Sequence, residues 1–202
     1  MPRGFNNEEK QRIQKQLLQC GKQLFEQYGV RKTSIEDIAR CAGIAKGSFY
    51  QFFPSKEILF FALIDQLQHI TRVTINTSFT NLKVLSVENL TTVILSALRI
   101  LQNEPLLNLL LNREEYQSIL LKIPQEILNQ ERESDIDFSA DLYRLWQEQG
   151  LHPQLELPVF TDLLRLLALS VLNQNLIETD FSKIARIMIK GILIQMFPEG
   201  LQ

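Results

Sequence analysis

The sequence predicts an all-α fold of about nine helices, with an N-terminal three-helix unit built on a helix-turn-helix and a C-terminal helical bundle. Three observations carry this. Apolar residues recur at spacings of three and four along nearly the whole chain. Glycines, prolines and capping residues interrupt that pattern at helix-sized intervals. Of the 202 residues, 45% are hydrophobic, which is enough to bury a sizeable core.

The elements follow in order. Leu17, Gly21, Leu24, Phe25 and Tyr28 share one face of a first helix over 8–28, which Gly29 stops. Thr33, three residues before Glu36, reads as a capping box opening a second helix, with Ile35, Ile38, Ala39 and Ala42 as its buried stripe. Gly43 ends it. A third helix runs over 45–52, with Phe49, Phe52 and Phe53 facing inward, and Pro54 closes it. Ser55 caps a long fourth helix that passes residue 70. The stretch "TRVTINTSFT" also suits strand because of its β-branched residues, but is read as the end of that helix. Further helices fall at 87–103, 105–121, 124–149, 158–178 and 182–197. Ser86, Pro105, Pro124, Pro158 and Ser182 start them, and Gly150, Pro153 and Pro198 mark breaks.

Net charge is only -2, yet its distribution is uneven. Residues 1–56 carry ten Lys/Arg against five Asp/Glu, hence +5, and the remainder carries -7. A basic quarter joined to an acidic remainder fits a polyanion partner for the first part, although solvated helix faces also produce such runs. Cys20 and Cys41 form neither a disulfide framework nor a metal set, and read as small buried hydrophobes, with a redox pair as the alternative. His69 and His152 are isolated, so no metal is expected. No apolar N-terminal stretch resembles a signal peptide, and Arg165 and Lys190 break the greasiest segments below membrane-span length. The expectation is a soluble, reduced, cytoplasmic protein.

The second and third helices pose the functional question. A rod of eight residues is about 12 Å long, comparable with the width of the DNA major groove. Its phenylalanines anchor one face and leave Lys46, Gly47, Ser48, Tyr50 and Gln51 on the other. Lysine and glutamine bond purine edges, and serine adapts to either. Gly47 permits close backbone approach. Tyr50, Lys56 and the helix N-termini beside Thr33 and Ser55 suit phosphates. A helical hairpin without a DNA role is the plainer reading of the same segment.

The run "TSIEDIARCAGIAKGSFYQFFPSKEIL" resembles the helix-turn-helix of the TetR family of transcriptional regulators. The matching residues are Thr33, Ile38 with Ala39, Ala42 with Gly43, Gly47, Tyr50, Phe53, Lys56 with Glu57, and Leu59. The resemblance spans roughly residues 8–64. It implies a DNA-binding domain over 1–56 and an effector-binding and dimerisation domain over 57–202 in an all-helical homodimer. By position it implies phosphate contacts from Thr33 and Ser34, base contacts from Lys46, Gly47 and Ser48, and backbone contacts from Tyr50 and Lys56, with Gln51 on the same face. Phe52 stands where many members carry His, and Ala45 where many carry Ser, which removes a hydroxyl.

The segments "PVFTDLLRLLALSVLNQNLIE" and "SKIARIMIKGILIQMF" are apolar on more than one face, so a twofold partner is expected to cover what the chain's own core does not. Candidate interface residues are Leu163, Leu167, Val171, Ile184, Met188 and Ile192. The resemblance implies an effector pocket among the fourth to seventh helices, with Phe61, Ile64, Leu107, Tyr116, Tyr143 and Trp146 as candidates and a small apolar or amphipathic effector as the expected ligand. Glu104, Glu114 and Glu115 either favour a cation or face solvent. No nucleophile–base pair, metal set or phosphate loop points to an enzyme, and no cofactor is implied. The expected function is a ligand-responsive repressor that binds double-stranded operator DNA. A helical interaction module and a small enzyme using the C-terminal pocket are the alternatives.

Overall fold

The computed structural model describes residues 5–199, and Arg113 without its side chain. Nine α-helices are present among these residues: α1 (Asn7–Tyr28), α2 (Ile35–Cys41), α3 (Lys46–Phe49), α4 (Lys56–Thr80), α5 (Val87–Gln102), α6 (Arg113–Leu120), α7 (Gln125–Glu148), α8 (Leu157–Leu172) and α9 (Phe181–Met196). Two short 3-10 segments, Pro105–Leu111 and Gln174–Leu176, join them, and the described residues contain no strand. The all-α expectation holds, including the β-branched end of α4.

The chain divides into two compact units. The first comprises residues 1–67 together with 105–123, and the second 68–104 with 124–202. In the first unit, Asn6 and Glu9 form the capping box that starts α1, and α1 buries Ile13, Leu17, Cys20, Gly21 and Phe25. Gly21 marks a close approach: a Cβ there would lie 2.2 Å from Leu59 Cδ2 on α4, so that side chain would have to shift. Gly29 turns the chain with a φ of 81°, a left-handed value that side chains resist. In the second unit, α5 packs against α8 and α9, and α7 against α8. Trp146 centres an aromatic cluster, with Phe79, Phe160 and Phe197 edge-on at 6.0, 5.4 and 5.5 Å.

Several local expectations are corrected. Ser34, not Thr33, caps α2, accepting from the Asp37 N–H. The third helix ends at Phe49 rather than at 52. Beyond it Gln51 N–H and Phe52 N–H donate three residues back, in turns that bring Phe53 inward before Pro54. The expected helix over 105–121 is two pieces, because the Asn112 side chain caps α6 by accepting from Glu114 and Glu115 N–H. The helix expected over 158–178 stops at Leu172, and the last helix is capped by Asp180 rather than Ser182. The two cysteines are not separate thiols: Cys20 of α1 and Cys41 of α2 form a disulfide across a Cα–Cα distance of 5.8 Å. Residues 21 apart in sequence can meet in this way because α2 folds back onto α1. Among the described residues, no helix is long and apolar enough to cross a membrane.

Candidate nucleic-acid interface and ligand cavity

The short α3 is held by its aromatic side. Phe49 is fully buried, 6.1 Å from the Phe53 ring, and Phe53 is itself buried. Phe52 is half-buried and faces the Phe5 ring at 6.0 Å. The opposite side is open. Tyr50 is 52% exposed, Lys46, Gly47 and Gln51 are exposed, and Ser48 is half-exposed. A Cβ added to Gly47 would meet nothing within 4 Å. The fold itself therefore does not demand glycine there.

Lys46 is ion-paired with Glu36 of α2. The bond to Lys46 holds the Glu36 carboxyl below the usual carboxylate range, and the same bond raises the Lys46 pKa. A hydrogen bond from Ser34 lowers the neighbouring Asp37, with help from Arg40. The Ser34 hydroxyl donates to Asp37 at 2.6 Å. Thr33 is buried, and its hydroxyl donates to Gly29 O at 2.7 Å, so it holds the turn from inside rather than facing outward. Lys56 donates to Thr33 O at 2.7 Å and to Arg31 O at 2.9 Å, which fastens the turn before α2 to the start of α4. Burial lowers its pKa. Two of its three donors are thus used.

Three supporting contacts were not legible in the sequence. Arg31 N–H donates to Glu115 Oε1 at 2.9 Å, and the Arg31 side chain pairs with Glu114 at 2.6 Å. Lys122 reaches the buried Glu57 at 2.8 Å. Each joins residues at least 65 apart in sequence, which no spacing rule finds.

The second unit holds a cavity of about 350 Å³. Ile75, Ile94, Leu98, Leu101, Leu164 and Leu167 contribute to its apolar lining. Arg72, Asp135 and Arg165 form its polar wall. Asp135 accepts from Arg72 at 2.6 Å and from Arg165 Nε at 2.7 Å, and the Arg72 guanidinium lies 5.4 Å from the centre of the Phe138 ring. Of the six residues expected at an effector pocket, none lines this cavity. Phe61, Ile64, Leu107 and Tyr116 belong to the first unit, while Tyr143 and Trp146 pack in the aromatic core of the second. The sequence did hold one signal: Arg165, with Asp162, interrupts a largely apolar helix.

The six expected interface residues also separate. Leu167 and Val171 are buried in the second unit's own core, which corrects their assignment to a partner surface. Leu163, Ile184 and Ile192 are half-buried, and Met188 is 40% exposed. The exposed apolar positions lie beside them: Val159, Leu166 and Leu169 on α8, and Ile187 and Ile194 on α9. A Cβ at Gly191, between the last two, would meet nothing within 4 Å.

Comparison with known proteins places this geometry. The family described as bacterial regulatory proteins, tetR family, matches residues 17–63. The transcriptional regulator RutR of Escherichia coli K12 is 38% identical over 56 residues, 28% of this chain and 26% of RutR. The matched region is thus about a quarter of that relative's length. Among solved structures, the regulator FadR of Bacillus subtilis, in complex with stearoyl-CoA, has a TM-score of 0.60 at 16% identity, over 90% of this chain and 98% of that one. FadR of Thermus thermophilus, in complex with lauroyl-CoA, has a TM-score of 0.59 at 20% identity, over 91% and 95%. At these identities the likeness is one of fold.

Proposed function

We propose that this chain, which by the helix-turn-helix at residues 17–63 belongs to the TetR family of bacterial regulatory proteins, is a dimeric transcriptional repressor released from its operator by a small amphipathic effector. The carrying observation is the two-sided α3, with Phe49 sealed inside and an unobstructed Gly47 beside Lys46, Ser48, Tyr50 and Gln51 outside. Residues 1–56 read DNA in the cytoplasm, and 57–202 bind the effector and dimerise. Lys46, Gly47 and Ser48 meet base edges, Gln51 lies on the same face, and Tyr50 and the third Lys56 proton hold phosphate. Ser34 offers the N-terminus of α2, and Thr33 keeps that turn in shape.

The exposed strips on α8 and α9 supply the twofold contact, and Gly191 lets two helices approach closely. Dimerisation sets two recognition helices about one DNA turn, ~34 Å, apart. Helix α4 provides the link to the effector: its first turns carry Lys56 and Glu57, and its later turns carry Arg72 and Ile75 of the cavity wall. A ligand that prefers one position of α4 shifts the population of DNA-competent dimers.

Fluorescence anisotropy with an operator selected from random sequence tests the reading. With about three cationic phosphate contacts per subunit, the log–log salt slope is expected near -5. Absence of any selected sequence, with binding only at low salt, would leave a helical interaction module in its place.

A further inference from the structure

The cavity in the second unit has a polarity that specifies what it holds. Its walls are mostly aliphatic, but one side carries two guanidinium groups and a single carboxylate. Asp135 is shared: one oxygen faces Arg72 at 2.6 Å and the other faces Arg165 at 2.7 Å. One negative charge thus serves two positive ones. Asp162 also accepts from Arg165, at 2.9 Å, but its side chain is 68% exposed, so water screens it and it does not line the cavity. Arg72 and Arg165 are themselves only 21% and 32% exposed. A net positive charge against an apolar wall is costly unless an anion meets it.

Arg165 gives one N–H each to Asp135, Asp162 and Arg132 O, which leaves two of its five for an anion. Arg72 gives one N–H to Ser134 and one to Asp135, out of five. Its guanidinium lies 5.4 Å from the centre of the Phe138 ring, and a guanidinium fork suits a flat two-oxygen acceptor. Gln68, on the same cavity wall, has a buried side-chain oxygen with no hydrogen-bond partner. A second polar group on the occupant, a hydroxyl, would satisfy it. Volume sets the size. A cavity of about 350 Å³ lies at the small end of ligand sites, which run from roughly 300 to 1,000 Å³.

Building on the effector reading above, we infer that the cavity binds a medium-chain carboxylate, its acid group held by Arg72 and Arg165 and its chain among the aliphatic side chains, with a chain hydroxyl meeting Gln68. The positive wall rejects cationic amphiphiles of the same length. A thioester carries no charge at that carbonyl, so the two guanidiniums favour the free acid over it.

The test is calorimetric titration of the full chain, without DNA, with decanoate, 3-hydroxydecanoate, decanol and decyltrimethylammonium. Decanoate should bind at least tenfold more tightly than decanol. The hydroxy acid should bind more tightly again, and the ammonium should not bind. Arg72→Met should erase the preference for decanoate over decanol while decanol binding persists, which shows that the variant is folded. Arg72→Lys should restore part of it. Gln68→Leu should remove only the advantage of the hydroxyl. Equal binding of acid and alcohol, tighter binding of the ammonium, or no binding by any probe overturns the inference. Decanoate binding that leaves operator affinity unchanged upholds the ligand class and overturns only the regulatory role.

Discussion

Lys122→Met probes how the tail of the 105–123 segment steadies the start of α4. Glu57 is 3% exposed, and its carboxylate receives the Lys122 ammonium at 2.8 Å. Breaking a fully buried pair costs about 3–5 kcal/mol, and an exposed pair is worth less than about 1 kcal/mol. Here one partner is buried and the other side chain is 55% exposed. The expected loss is therefore about 2 kcal/mol, read as a lower urea midpoint by circular dichroism at neutral pH. Glu57→Gln in the same background should recover most of it, since no unpaired charge then remains. The pH dependence adds a second signature. Burial alone pushes the Glu57 pKa up, but the hydrogen bond from Lys122, a backbone bond and the nearby Lys56 outweigh it, so the folded-state pKa lies below the usual value of ~4.3. A lowered folded pKa gives stability that is complete above the unfolded value and is lost as pH falls through the folded one. In Lys122→Met that loss on the acid side should vanish. A cost below about 0.5 kcal/mol, or the same cost with and without the Glu57 carboxylate, would refute the reasoning.

Other outcomes follow from the same geometry. Lys46→Ala and Tyr50→Phe should both weaken operator binding in anisotropy titrations, but only Lys46→Ala should relax preference at one base pair, by roughly tenfold. Glu36→Gln should tighten binding, because it releases Lys46 and removes a negative charge from the DNA-facing side. Leu169→Glu combined with Ile187→Glu, at positions 52% and 69% exposed, should yield monomers in sedimentation while circular dichroism stays helical. Reducing the Cys20–Cys41 bond opens a loop of 21 residues and should cost about 3 kcal/mol by chain entropy, seen as a lower Tm in the presence of reductant.

What the sequence made legible was governed by local physics. The span of α5 and the inward placement of Phe49 and Phe53 follow from periodicity, and the turns at Gly29 and Gly43 from backbone sterics. Capping was less certain, because Thr33 and Ser34 stand side by side and only burial decides between them. The break at Asn112 was hidden for a related reason: a capping side chain inside an apolar run looks like one more polar position. Cavity residues were the hardest. Arg72, Asp135 and Arg165 are distant in the chain and meet only through the packing of α4, α7 and α8, so neither period nor spacing announces them. Aromatic residues such as Trp146 drew attention to the core, where they fill space. The Cys20–Cys41 bond is invisible in the sequence because two lone cysteines imply nothing until the fold brings their Cα atoms within bonding distance.

The return of residues 105–123 to the first compact unit has a practical consequence. That unit is not a contiguous stretch of chain, so it cannot be cut out as one. A fragment ending at Leu67 would strip the Arg31 amide of its Glu115 acceptor and leave Glu57 buried without its lysine. Such a fragment should be poorly folded, and anyone wanting the isolated unit would need to graft the returning segment back on through a short artificial linker.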